Sequence, residues 1–76
     1  DVGAIEYIHK RLISERDKGK AVLVVSFELD EILNLSDRIA VIHDGKIQGI
    51  VKPSETNKQE LGILMAGGEI KEASNE

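Results

Sequence analysis

The sequence contains no cysteine and no tryptophan, and it has one proline, one tyrosine and one phenylalanine. Without cysteine the chain can form neither a disulfide nor a thiolate metal site, which suits a reducing compartment. Aromatic residues make up only 3% of the chain, too few for the stacking platforms of single-stranded nucleic-acid binders. The net charge of −4, with no basic face, also argues against nucleic acid as a partner.

Long apolar runs are also lacking, since none approaches the roughly 18 residues that a bilayer span requires. Hydrophobic residues nonetheless make up 41% of the 76 residues, which predicts packing rather than disorder. A chain of this size buries only about 60% of its unfolded surface and is marginally stable alone. Because the sequence begins with Asp1 rather than Met, we expect it to be part of a longer protein.

The remaining elements can be arranged around residues 22–27. Residues 22–25 form an unbroken apolar run, which predicts a strand buried on both faces of a parallel sheet. Ser26 follows the run and acidic residues follow Ser26, which predicts the start of a helix. The sequence therefore predicts a strand-to-helix turn at Ser26 and Phe27, at the sheet edge where α/β proteins bind ligands.

The predicted fold class is α/β, with the order helix, strand, helix, strand, strand, helix. The helix between the first two strands predicts a parallel pair with a right-handed crossover. Asp44-Gly45 predicts a two-residue hairpin, and Thr56 or Asn57 caps the last helix. The predicted bounds are helix 1–18, strand 21–25, helix 27 to 34 or 35, strand 39–42, strand 46–51 and a helix that ends at Gly67-Gly68. We expect residues 1–68 to be folded and residues 69–76 to be a disordered polar tail.

No complete catalytic motif is present. The sequence lacks the G-x-x-x-x-G-K-[ST] phosphate loop, the G-x-G-x-x-G turn and the H-E-x-x-H zinc motif. His9 lies beside Lys10 in a charged stretch, and we interpret it as a solvated side chain. His43 precedes the predicted hairpin turn, and we interpret it as a strand-end residue rather than a ligand.

Three acidic residues in the turn after Phe27 are candidates for binding a cation: Glu28, Asp30 and Glu31. Carboxylates in the first turn of a helix usually offset the positive end of its dipole, and we favour that interpretation. We predict no metal site in the chain.

Four segments, in this order and spacing, resemble the end of an ABC transporter ATPase domain. They are Asp-Val-Gly at 1–3, Val-Leu-Val-Val-Ser at 22–26, Ser-Asp-Arg-Ile at 36–39 and Asp-Gly-Lys-Ile at 44–47. The resemblance extends from Asp1 to about Gly68. It implies that Asp1 belongs to the D-loop, just after the Walker B acid, and that Ser26, Phe27 and Glu28 form the switch, or H-loop.

Phe27 departs from the family pattern. The switch of this family usually carries a histidine there, which contacts the γ-phosphate, whereas a phenylalanine side chain can neither donate a hydrogen bond nor carry charge. The altered switch resembles the second ATPase half of fused double-domain importers for simple sugars and nucleosides. The phosphate loop, Q-loop, signature motif and Walker B acid are absent from the chain, so we expect no ATP hydrolysis by these 76 residues alone.

The resemblance implies a subunit that couples ATP binding and hydrolysis to uptake of a simple sugar or nucleoside. ATP and Mg²⁺ are the implied cofactors of the intact parent, and we expect neither to bind this segment alone. The implied partners are the upstream part of the same ATPase, the N-terminal ATPase half and transmembrane permease subunits, at the cytoplasmic face of the membrane. We also expect the isolated chain to associate with itself, because its apolar strands lack their sheet neighbours.

Two alternatives come from other classes of protein. Residues 38–51 also resemble the hairpin of a CBS-type adenosine-binding regulatory module. Residues 52–55, however, do not supply the Thr or Ser and the following Asp of such modules, and residues 1–36 stay unmatched. A non-catalytic dimerising segment without a ligand is the third possibility. We favour the ABC interpretation.

Overall fold

The computed structural model describes residues 1–70, in which three α-helices accompany a two-stranded antiparallel sheet. The mixture of helix and sheet confirms the predicted α/β class. Residues 71–76, which make up most of the predicted tail, lie outside the described residues. The elements are α1 (Val2–Asp17), α2 (Leu29–Leu35), β1 (Ile39–His43), β2 (Lys46–Val51), a short 3₁₀ turn (Pro53–Glu55) and α3 (Lys58–Met65).

Helix α1 begins and ends where the sequence predicts. The Asp1 carboxylate accepts a hydrogen bond from the Gly3 backbone N–H at 3.1 Å, which caps the start of the helix. At the other end, Gly19 adopts a left-handed backbone with φ of 91°. Glycine adopts this conformation without steric strain, so the helix stops within one residue of the predicted bound.

The hairpin between β1 and β2 is confirmed. Asp44 and Gly45 both have positive φ, 52° and 76°, as a type I′ turn requires. The pairing shifts by one residue between Val41 and Ile42, because Gln48 is an extra residue on β2. The Gln48 amide donates to the backbone carbonyls of Gly67 and Gly68, at 2.8 and 3.2 Å, so the bulge ties the sheet to the chain after α3.

Helix α3 is capped by Asn57 rather than Thr56. The Asn57 side-chain oxygen accepts from the Glu60 N–H at 2.9 Å, while the Thr56 hydroxyl donates to the Glu60 carboxylate at 3.0 Å. The helix ends at Met65, and Gly67 follows two residues later with a φ of 91°. Of the two predicted caps Asn57 is the one that forms, and the helix stops just before Gly67-Gly68, as predicted.

The core lies between β1 and α3. Ile39 and Val41 alternate along β1 and are each 6% exposed, whereas Leu61 and Leu64, one turn apart on α3, are 1% and 4% exposed. Because alternate strand residues share a face, as do helix residues three apart, these four side chains meet in one layer. Half-buried side chains pack against them from α2, the end of β2 and the chain after α3: Leu29, Ile32, Leu33, Val51 and Ile70.

The predicted first strand is not formed. Residues 20–26 have no regular secondary structure and pair with no strand among residues 1–70. Leu23 and Val25 are 90% and 89% exposed, although their apolar pattern predicts a buried strand. A strand exists only through hydrogen bonds to a neighbouring strand, and residues 20–26 make none among residues 1–70. The predicted parallel pair with its crossover is therefore wrong for these residues, and the sheet is antiparallel.

The apolar stripe predicted on α1 is also poorly covered. Ile5 and Ile8 are 49% and 53% exposed, and Leu12 is half-buried. Polar contacts link α1 to the rest of the molecule, one of which joins Arg16 to Asp37 at 3.6 Å. The packing contribution of α1 is therefore small compared with that of α3.

We predict that Leu61→Ala lowers the free energy of unfolding by about 2 to 5 kcal/mol, because it leaves a cavity at the most buried side chain of the core. The matched control is Ile63→Ala on the same helix, where the side chain is 46% exposed. We expect the control to change the free energy of unfolding by less than about 1 kcal/mol. Urea unfolding followed by circular dichroism measures both, and equal effects of the two variants would contradict the assigned core.

Candidate functional site: the switch turn

The predicted site residues Ser26, Phe27 and Glu28 form a turn that enters α2. The Ser26 hydroxyl accepts a hydrogen bond from the Glu28 N–H at 3.0 Å, two residues along the chain, as in a serine turn. The helix itself begins at Leu29, with Glu28 as an N-cap that makes no side-chain capping bond. The predicted helix start at Phe27 is thus two residues too early, because Ser26 stabilises a turn rather than capping the helix.

Phe27 occupies the position in this turn at which the resemblance predicts a phosphate-contacting histidine. Its side chain is 88% exposed. Its ring adds to the exposed Leu23 and Val25 side chains upstream. Three large apolar side chains at nearly full exposure, within five residues, form an apolar patch of the kind that is typical of interaction surfaces. We name residues 22–27 the exposed strip.

Glu31 joins two helices of the molecule. Its carboxylate accepts from His9 Nε2–H of α1 at 2.6 Å, and both side chains are half-buried, at 27% and 25% exposure. The Ser26 hydroxyl and then the His9 ring hold the pKa of Glu31 below its ordinary value. Glu31 thus connects α1 to the first turn of α2, which directly follows residues 26–28.

The interpretation of His9 as a solvated side chain is therefore wrong. The sequence carries no signal for the contact, because His9 and Glu31 are separated by 22 residues and each lies among charged neighbours. Only a tertiary arrangement that brings α1 beside α2 makes them partners. His43, in contrast, lies at the end of β1 as expected, where its Nδ1–H donates to the Met65 carbonyl at 3.0 Å.

The three acidic residues after Phe27 do not converge. Asp30 pairs with Lys58 of α3 at 2.8 Å, Glu31 pairs with His9, and Glu28 is exposed. Within residues 1–70, no three histidine, aspartate or glutamate side chains are grouped so that they could hold a metal ion. The acidic cluster is thus divided among separate partners.

Asp1 lies at the far end of α1 from the contact with the switch turn. Its side chain caps the helix, and its hydrogen-bond partner is Gly3 rather than a residue of the turn. His9 follows eight residues later, about 12 Å along the helix axis at 1.5 Å per residue. The contact between His9 and Glu31 therefore links the helix that follows Asp1 to the first turn of α2, just after residues 26–28.

A second charged cluster holds the start of the segment that leads to the exposed strip. Glu15 near the end of α1 contacts Arg11, Lys18 and Lys20, at 3.1, 3.2 and 2.5 Å. Hydrogen bonds from Lys20, Lys18 and Arg11, in that order, keep the pKa of Glu15 below its ordinary value. The chain thus leaves α1 in a defined direction before it becomes extended.

No helix in residues 1–70 combines the length and the apolar character needed to cross a membrane.

The chain is similar to import ATP-binding proteins over nearly its whole length. It is 82% identical over 72 residues to the nucleoside import ATP-binding protein NupA of Lactococcus lactis subsp. cremoris (strain MG1363), and 67% identical over 73 residues to the guanosine import ATP-binding protein NupO of Bacillus subtilis (strain 168). It is 40% identical over 68 residues to the ribose import ATP-binding protein RbsA of Bacillus subtilis (strain 168).

These alignments cover 95%, 96% and 90% of the chain, respectively, and the chain spans 14% of the length of each relative. No family model and no solved structure matches the chain. The chain matches one segment of these ATP-binding proteins, which confirms the predicted resemblance to the last part of an ABC importer ATPase. The compared relatives are named for a nucleoside, guanosine and ribose. The similarity includes the part that a CBS module leaves unmatched, so that alternative is not favoured.

We predict that the isolated chain associates with itself, because the exposed strip offers apolar side chains and unpaired backbone groups to a second copy. Replacing Leu23 and Val25 by serine should shift the monomer–oligomer equilibrium towards monomer by about tenfold or more, since each removes a large exposed apolar group. Sedimentation velocity from micromolar to millimolar concentration measures the equilibrium.

The control for this prediction is Ile47→Ser, which removes a 55% exposed apolar side chain from a strand that is already paired. A monomer over the whole concentration range would contradict self-association. Equal weakening by the control would show that the exposed strip is not the contact.

Proposed function

We propose that this chain is part of the ATP-binding subunit of an ABC importer and contributes the D-loop residue Asp1 and the switch residues Ser26, Phe27 and Glu28 to its second ATP site. The observation that carries the proposal is the 82% identity to a nucleoside import ATP-binding protein over 95% of the chain. In this proposal residues 1–68 are the last part of the ATPase domain, and residues 69–76 are a tail.

The substrate class that the comparisons favour is a nucleoside. Identity falls from 82% and 67% with the nucleoside and guanosine relatives to 40% with the ribose relative of Bacillus subtilis. Uptake of labelled nucleoside and of labelled ribose can be compared in cells that lack the full-length protein. Loss of nucleoside uptake with intact ribose uptake would support this class. The opposite pattern would contradict it.

ATP is the cofactor of the intact site, together with Mg²⁺. Residues 1–70 group no three side chains that could hold a metal ion, and the sequence has no phosphate loop, so both ligands would be held mainly by residues outside this segment. The exposed strip fits a sheet neighbour from the upstream part of the same ATPase, because an apolar strand gains most when both its faces are covered. The further partners are the N-terminal ATPase half and the permease subunits, which would hold the protein at the cytoplasmic face of the membrane.

Phe27 determines what the second site can do. Phosphoryl transfer depends on groups that position the attacking water and stabilise charge on the transferring phosphoryl group. A phenylalanine ring can do neither by hydrogen bonding. The site therefore binds ATP and hydrolyses it slowly, while the partner site carries most of the turnover. Glu28 is the competing candidate for the missing role, since its carboxylate is exposed one residue further along the turn.

We predict that Phe27→His raises the residual hydrolysis rate of this site by about tenfold or more, which corresponds to roughly 1.4 kcal/mol of barrier. The reason is that an imidazole N–H restores a donor at the switch position. The measurement is single-site phosphate release by the full-length protein in which the N-terminal site is inactivated separately.

The matched control is Phe27→Leu, which keeps an apolar side chain and adds no donor, and we expect it to leave the rate unchanged. An unchanged rate in Phe27→His would show that Phe27 does not limit the site. Turnover of the unmutated second site at the rate of the first would contradict an impaired site altogether.

A further inference from the structure

The contact between His9 and Glu31 differs from the other ion pairs of the described residues. It is the one pair within residues 1–70 in which both side chains are less than one third exposed, and it connects two helices. The pair between Asp30 and Lys58, by comparison, joins side chains that are 73% and 53% exposed. A partly buried, charge-assisted hydrogen bond restrains geometry more strongly than an exposed pair does.

The same turn of α2 also holds the switch turn. The Ser26 hydroxyl accepts from the Glu28 backbone N–H at 3.0 Å, and the Glu28 carbonyl accepts from the Ile32 N–H of α2 at 3.0 Å. Glu31, which precedes Ile32, carries the contact with His9. A chain of hydrogen bonds and helix backbone thus runs from Ser26, through the first turn of α2, to His9 on α1.

We infer that Glu31 and His9 are positioning residues for the switch turn, which they couple to the helix that follows Asp1. This inference rests on the proposed function of residues 26–28. Neither residue touches the nucleotide in this scheme. Glu31 lies in the first turn of α2, directly after the switch turn, and His9 holds its carboxylate. The switch turn therefore enters α2 from a fixed position, and the residue at position 27 leaves it in a fixed direction.

Such positioning matters because phosphoryl transfer is sensitive to small displacements. A misplacement of about 1 Å can reduce a rate by about 100-fold when the reacting groups must be aligned. The exposed Phe27 has no packing of its own among residues 1–70 to hold it, being 88% exposed. Its direction is therefore set by the backbone of the turn, which Ser26 and Glu31 hold.

Amide hydrogen exchange of the full-length protein tests the positioning without reference to catalysis. Glu31→Gln keeps the side-chain shape and removes the charge, and we expect exchange of the Glu28 amide to accelerate by about tenfold. His9→Ala should act in the same direction, whereas His9→Gln, which keeps a donor, should restore part of the protection.

The matched control is Asp30→Asn, which removes a carboxylate from the same turn of α2 but not from the chain of hydrogen bonds. We expect its Glu28 amide to exchange at the unmutated rate. Thermal unfolding of each variant verifies that the protein remains folded. Unchanged exchange in Glu31→Gln, or equal acceleration in Asp30→Asn, would overturn the inference.

A kinetic readout links positioning to the site. In the Phe27→His protein, Glu31→Gln should abolish most of the tenfold gain in kcat of the second site and leave the affinity for a non-hydrolysed ATP analogue within about twofold. Asp30→Asn should leave the gain intact. A gain that survives Glu31→Gln would overturn the inference for catalysis. Absence of any gain in Phe27→His would instead count against the proposed function, and hydrogen exchange would still decide the positioning role.

Discussion

The packing of α3 against β1 is the contact on which the rest of the structure depends. Leu61 and Leu64 meet Ile39 and Val41 there, and these are the four buried apolar side chains of the described residues. The I′ turn holds β2 beside β1, and the Gln48 bulge ties β2 to the end of α3. Because a chain of this size has little apolar surface to bury, loss of this one layer would remove the support of α2 as well.

The first part of the chain is organised differently. Helix α1 and residues 20–27 contribute no fully buried side chain, and charged contacts made by Glu15, Arg16 and His9 hold them. Because charged contacts rather than a core hold this part of the chain, the exposed strip stays extended. Its apolar residues are suited to a sheet, yet they pair with neither strand among residues 1–70. The candidate site lies at the boundary between the two parts, where the turn of Ser26 leads from the strip into α2.

Local signals in the sequence predicted most of the helices and the hairpin. Asp1, Gly19, Asp44-Gly45 and Asn57 each act through a few neighbouring backbone atoms, so their effect is independent of tertiary context. The strand over residues 22–25 could not be predicted reliably, because strand formation depends on a partner that lies elsewhere. The wrong start of α2 has a local cause, since Ser26 can cap a helix or close a serine turn.

The candidate site was predictable only in part. The order of four short segments predicted the resemblance, which the similarity to nucleoside and guanosine import proteins confirms. The assignment of the switch, and of Phe27 within it, stays a prediction. The contact between His9 and Glu31 was not predictable, because it joins residues that are 22 positions apart and depends on how α1 lies against α2. Sequence patterns report periodicity and local chemistry, whereas this contact is a property of the tertiary structure.

We propose that this segment completes an ATP site that binds nucleotide and hydrolyses it slowly. A single-turnover experiment on the full-length protein, with ATP labelled at the γ-phosphate and loaded at both sites, distinguishes a slow site from a fast one. We expect two phases, in which about half of the bound ATP is hydrolysed at the normal rate and the other half remains intact at least tenfold longer. A single phase that consumes all the bound ATP, or binding of only one ATP, would contradict it.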